Sequence, residues 1–179
     1  MAGRFFLVIL LVLAAIAERL WFDLGPNVEL VTLAGVVSGM ILGRKWGGVA
    51  GVIAMVISDL VIGNTVIFWF TWSAFLVIGA GGEWLRSFTG LGRIAAGGGY
   101  GLAAAVFFYL YTNLGVWLVG NLYPPTFAGL AKSYLMGWPF FKIHAASSVL
   151  TLVAGLTAAE LVGTVFTASK SWLNLTIKD

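Results

Sequence analysis

"YTNLGVWLVGNLYPPTFAGLAKSYLMGWPFF", residues 111–141, interrupts a chain of long and almost charge-free apolar runs. It places an Asn inside one such run, closes that run with two prolines, and leads into the next through Tyr, Trp and Phe. A helix rising ~1.5 Å per residue needs about 20 apolar residues to cross a hydrocarbon core ~30 Å thick. Run 94–119 before the prolines meets that length, and so does run 141–168 after them. Pro124 and Pro125 each lack an amide hydrogen and restrict the preceding residue, so they end the earlier helix. Residues 120–141 then read as an outer loop. Within it, 127–136 is expected to form a short surface helix covering the outer cavity, and Pro139 to start the last span.

Working outward, runs 5–22, 28–43, 46–63 and 65–85 supply four more candidate spans. The expected fold is an all-α polytopic membrane protein with about six transmembrane helices in one domain, 1–179. The second and third runs are separated only by Arg44 and Lys45, which leaves a re-entrant hairpin as the alternative there. Lipid-exposed backbone must satisfy its hydrogen bonds internally, so every span is expected to be helical.

Composition supports this reading. Of 179 residues, 60% are hydrophobic and 9% charged, and the mean hydropathy is +1.01. Soluble domains carry roughly 25% charged residues, so this chain lacks the groups to cover a globular surface in water. With no cysteine and a single His, disulfides, thiolate sites and His-rich metal clusters are excluded. The N-terminus has a basic start and an apolar centre, as a signal peptide does. Glu18, Arg19 and further spans follow it, so it is read as an uncleaved first helix. The basic residues are scattered and form no nucleic-acid face.

Cytoplasmic segments carry an excess of Lys and Arg. With the N-terminus inside, that side holds Arg4, Arg44, Lys45, Arg86, Arg93, Lys170 and Lys178, against Arg19, Lys132 and Lys142 outside. Both termini are therefore expected in the cytoplasm of a plasma-membrane protein. The outer side receives Glu18, Asp23, Glu29 and Asp59.

The two halves of the chain differ. Gly35, Gly39, Gly43, Gly47 and Gly51 recur every four residues, and small residues at that spacing let helices approach closely in lipid. Internal packing is one reading of them and a docking face for a partner the other. In the later spans the polar residues fall into stripes. Trp69, Trp72 and Ser73 lie within about a turn. Tyr109, Asn113 and Trp117 recur at i, i+4 and i+8, and His144, Ser147, Ser148 and Thr151 share one face. Small-molecule sites are mostly apolar and aromatic with a few placed polar groups, so the stripes point to an outward-open cavity. Against this, Trp and Tyr are common at interfaces, and buried Ser or Thr often bond their own helix.

The acids have structural readings too. Asn27 can cap the second helix with Glu29 in its first turn, favoured by the helix dipole; facing the outer pocket is the other reading of this pair. Asp59 either reaches the interface or faces the same vestibule. Glu160 lies within the inner half of the last span with no basic partner evident, and an intramembrane carboxyl is a functional candidate by default.

The quoted stretch, with "GPNVELVTLAGVVSGMILGRKWG" and "ISDLVIG", resembles a prokaryotic family of small membrane proteins of unknown function over roughly residues 19–145. The resemblance rests on Thr112-Asn113, on Gly115-Val116-Trp117-Leu118, on Tyr123-Pro124 and on Pro139-Phe140-Phe141. Its layout in turn resembles the S components of energy-coupling factor vitamin transporters. That implies a small organic solute held by the outer parts of the later helices and loops, here Trp69, Trp72, Asn113, Trp117, Tyr123, His144, Ser147, Asn27 and Glu29. It also implies a transmembrane coupling subunit with paired ATPases as the partner. The chain departs in lacking a clean alanine docking motif on the first span and the motif of any one vitamin's binder.

The expectation is therefore a non-enzymatic binding or transport subunit without a cofactor. It carries no P-loop of its own. The alternative is a membrane scaffold of the rod-shape-determining type. An intramembrane enzyme using His144 and Ser147 would need an orienting acid, which Asp59 supplies only if the third and sixth spans meet. A proton-coupled carrier using Glu160 is the remaining reading.

Overall fold

The computed structural model describes residues 2–22 and 30–176, with side chains through residue 162. Among these residues all regular structure is helical: α1 (Ala2–Ala17) running on into a π-turn (Glu18–Phe22), α2 (Val31–Leu42), α3 (Arg44–Ile62), α4 (Phe68–Gly81) continued by a 3-10 turn (Gly82–Ser87), α5 (Gly90–Val119) and α6 (Phe127–Thr176). Arg4, Met40, Arg86 and Arg93 border one hollow, while Arg19 pairs with Asp59 at the opposite end. Successive helices therefore run up and down between an Arg4 end and an Arg19 end. Of the basic residues expected on one side, Arg4, Arg44, Arg86 and Arg93 gather at this end; Lys178 and the side chain of Lys170 lie outside the described residues.

Among the described residues, four helices are long and apolar enough to cross a membrane: Ala2–Phe22, Arg44–Ile62, Gly90–Val119 and Phe127–Val162. α2 has 12 residues, about 18 Å at the helical rise, which falls short of a ~30 Å core. α4 has 14 and gains length only through its 3-10 turn. The expected second and fourth spans are thus shorter as helices than the apolar runs suggested. The start of the second, with Asn27 and Glu29, lies outside the described residues.

The spaced glycines are spent on internal packing. Gly43, at φ +106°, is the one residue between α2 and α3, a conformation that glycine tolerates and most side chains do not. The reversal there folds the glycine row onto itself. Gly47 lies against the backbone of Gly39, and a Cβ at Gly47 or Gly79 would overlap the other's backbone. An added Cβ at Gly51 would stand 2.9 Å from the Phe75 carbonyl oxygen, and one at Gly35 3.2 Å from Gly79 Cα. α2, α3 and α4 meet along this seam, which is the internal packing that the spacing offered as one reading. In lipid, such close packing replaces the hydrophobic drive that assembles helices in water. Phe75, Ile78, Leu85, Leu152 and Leu156 complete the buried core beside it.

α5 and α6 pair antiparallel along their length, from Arg93 with Glu160 at one end to Asn113 with Ser133 near the other. The connecting loop is only residues 120–126, with Asn121 at φ 54° providing a left-handed reversal suited to Asn. Thr126 caps α6, its Oγ1 accepting from Gly129 N at 3.1 Å, an N-cap contact.

Residues 127–136, expected as a short surface helix, are instead the first part of α6, and Pro139 lies inside that helix. Proline deletes one donated bond, that to the Leu135 carbonyl, a loss that helices in apolar surroundings tolerate. The turn before it is tied to α5: the Ser133 hydroxyl donates to Asn113 O at 2.9 Å, Tyr109 to Tyr134 O at 2.6 Å and Tyr134 to Leu110 O at 3.0 Å. The segment extends the wall along α5 instead of lying across the bundle as a lid.

Candidate functional site

Near the Arg19 end, α4, α5 and α6 enclose a cavity of about 290 Å³. Thr71 and Ile67 border it from the start of α4. Phe108, Tyr109, Thr112, Asn113 and Val116 line it from α5, and Gly137, Phe140, Phe141 and His144 from α6. The walls are aromatic. His144 lies 4.8 Å, centroid to centroid, from Phe108, and Tyr109 lies 4.8 Å from Phe141.

The polar groups differ in how far they are committed. Thr71 and Thr112 donate to carbonyls of their own helices, at 3.0 Å to Phe68 O and 2.7 Å to Phe108 O. Asn113 likewise gives one amide hydrogen to Tyr109 O at 2.8 Å. Its Oδ1 accepts no hydrogen bond among the described residues. An Asn carboxamide has two donors and a two-lone-pair acceptor, so Asn113 keeps both kinds of capacity beside the cavity. His144 is 4% exposed and stands on the opposite helix.

Of the residues singled out by sequence, this cavity brings together Tyr109, Asn113 and His144. Trp117 turns to the loop, donating its indole hydrogen to Pro124 O at 3.0 Å. Tyr123 sits half-buried in that loop, off the cavity wall. Trp69 is 69% exposed, consistent with an interfacial ring, and contacts Phe68 at 4.6 Å. Trp72 faces α3. Ser147 borders a separate, open hollow on α6 with Pro139, Lys142 and Thr151. Asn27 and Glu29 lie outside the described residues.

The sequence reading missed Gly137, Phe140 and Phe141. They precede His144 at i, i+3 and i+4 of an i, i+3, i+4, i+7 face, a pattern hidden by treating Pro139 as a helix start.

The acids are engaged elsewhere. Asp59, 6% exposed, accepts from Arg19 at 2.7 Å, from the Trp72 indole at 2.7 Å and from Asn64. Arg19 also donates to Ser58 Oγ at 2.7 Å. The π-turn ending α1 carries Arg19 to this hub, tying α1, α3 and α4 together. Asp59 is thus committed to Arg19, Asn64 and the α4 indole. Glu160, expected without a basic partner, pairs with Arg93 of α5. The antiparallel register of α5 and α6 creates that pair across 67 residues of sequence. No group of three or more His, Asp or Glu gathers among the described residues in a way that could hold a metal.

A family model matches residues 1–173, nearly the whole chain. The chain belongs to DUF6580, a family of unknown function. No curated protein and no solved structure matches it. Membership in DUF6580 thus agrees with the first resemblance drawn from sequence and extends it well beyond residues 19–145, while bringing no activity with it.

Proposed function

We propose that this DUF6580 protein is a membrane-embedded binding subunit for a small, planar organic solute, held between α4, α5 and α6. The observation that carries the reading is the Asn113 carboxamide, with an unpartnered acceptor beside an aromatic cavity that also presents His144. A ligand that donates to this oxygen would add a hydrogen bond worth about 0.5–1.5 kcal/mol. Aromatic walls suit a flat ring by offset or edge contacts. At about 290 Å³, the space lies at the small end of ligand pockets, roughly 300–1,000 Å³. A vitamin precursor or comparable heterocycle is the proposed class, as in the S components the layout resembles.

In this reading the protein spans the plasma membrane six times with α2 and α4 completing the bundle. The Arg4 end faces the cytoplasm, because it collects the basic residues. Energy for uptake comes from a separate coupling partner with ATPases, and the chain itself catalyses no reaction.

Native mass spectrometry of gently extracted protein tests the proposal. Wild type should carry a small-molecule adduct, and Asn113→Leu, which keeps the volume but removes the amide, should lose it while expressing normally. An adduct-free wild type, or an adduct indifferent to Asn113, would overturn it in favour of a scaffold.

A further inference from the structure

Three arginines from three different elements border one hollow of about 340 Å³ at the Arg4 end: Arg4 of α1, Arg86 of the 3-10 turn after α4 and Arg93 of α5. Met40 and Ile41 of α2 give it an apolar floor. Two of the guanidiniums are held in place by backbone. Arg86 Nε donates to Met40 O at 2.6 Å, and Arg93 Nε to Leu85 O at 3.4 Å. Acids occupy one further nitrogen of each, Glu83 on Arg86 at 3.3 Å and Glu160 on Arg93. An arginine has five N–H donors in a rigid fork, so both keep donors in reserve. Arg4 has no ion-pair or hydrogen-bond partner among the described residues.

Charge at this end is unbalanced. Arg4, Arg44, Lys45, Arg86 and Arg93 stand against Glu83 and Glu160, and Glu83 is shared with Arg44 at 3.7 Å. The surroundings are those of a bilayer interface. Trp46 and Trp84 are both about half exposed; Trp46 packs edge-on with Phe5 at 5.2 Å and Trp84 with Phe88 at 4.7 Å. Trp rings sit at headgroup depth. Basic pockets between membrane helices on the cytoplasmic side suit phosphorylated headgroups.

We propose that this hollow binds the phosphate of an anionic glycerophospholipid, its headgroup on Arg4, Arg86 and Arg93. The acyl chains then run along the exposed apolar flank of the bundle. Guanidiniums suit phosphate because the planar fork can offer paired N–H donors to two oxygens. The apolar floor and aromatic girdle favour a lipid over a free anion, which would gain nothing from Met40, Ile41 or the Trp belt. This site lies at the opposite end from the solute cavity and stands or falls separately from it.

The test titrates the full chain in neutral detergent with phosphatidylglycerol and with phosphatidylcholine, counting adducts by native mass spectrometry. Phosphatidylglycerol should bind in preference. Arg4→Gln should weaken it about fivefold, the worth of one basic residue near an anionic surface, with the melting temperature unchanged. Arg4→Lys should keep part of the preference, and Lys45→Gln, which does not border the hollow, should leave it intact. Three results would overturn the proposal: equal binding of the two lipids, an equal loss in Lys45→Gln, or displacement of the lipid by excess inorganic phosphate, which would mark a free-anion site.

Discussion

The Trp72 indole donates to Asp59 Oδ2 at 2.7 Å, so a tryptophan that sequence alone places in a ligand pocket instead closes a charged hub between α3 and α4. Asp59 has 4% of its side chain exposed and Arg19 20%. Asp59→Ala would leave Arg19 largely buried and unpaired, and breaking a buried pair in this way costs about 3 kcal/mol. Trp72→Phe removes only one bond to a charged group, about 1.5 kcal/mol. Thermal unfolding in detergent should therefore rank Asp59→Ala well below Trp72→Phe, and Trp72→Phe below wild type. Trp72→Phe should keep its solute adduct. Loss of the adduct at an unchanged melting temperature would put Trp72 back in the pocket.

The glycine seam makes a second, contrasting prediction. At Gly47 and Gly79 an added methyl would overlap backbone on the neighbouring helix, and backbone cannot swing aside as a side chain can. Either alanine variant should cost about 3 kcal/mol, the upper end of ordinary overpacking. Gly99 is exposed on α5 with nothing within 4 Å of an added Cβ. There alanine should be neutral or stabilising by up to about 1 kcal/mol through helix propensity. A partner docked on the Gly47 row would reverse this, with alanine there sparing the isolated chain and disrupting only its complex.

Much of the helical architecture was legible because apolar run length and glycine spacing are local signals. The apolar runs fall on all six α-helices of the described residues, though the last run starts well inside α6, and the four-residue glycine period marked the seam. The misreadings have physical causes. Proline favours the start of a helix, so the sequence points to one at Pro139, yet α6 runs on through it with the preceding turn tied to α5 by Ser133, Tyr109 and Tyr134. Glu160 looked unpaired because its partner Arg93 is distant in sequence and only the antiparallel register brings them together. The aromatic rows could not distinguish a ring turned into the cavity from one turned to lipid or to a buried acid. Trp69, Trp72 and Trp117 take three different neighbours for reasons that belong to tertiary packing.

Orientation is open to a direct experiment, because the chain has no cysteine and single cysteines report without background. Lys45 is exposed at the α2–α3 reversal and Leu122 in the α5–α6 loop. In intact cells a membrane-impermeant maleimide should label Leu122→Cys and spare Lys45→Cys until the membrane is permeabilised. The opposite pattern would invert the protein and place the candidate cavity toward the cytoplasm, against an uptake role.

Gly137 offers the sharpest test of the cavity. A Cβ built there would overlap the Asn113 carboxamide, a side chain with freedom to rotate. Gly137→Ala should therefore displace the amide without separating α5 from α6. Two opposing effects act on stability: overpacking of about 1–3 kcal/mol, and a gain of up to about 1 kcal/mol from alanine in a helix. The net should be a loss of up to about 3 kcal/mol that leaves the protein folded, while the solute adduct should fall sharply because the amide no longer stands where the ligand meets it. Adding Asn113→Ala to Gly137→Ala relieves the overlap, so stability should recover and binding should not. Recovery of both together would mean that Asn113 acts only by filling space, and the amide would lose its role in recognition.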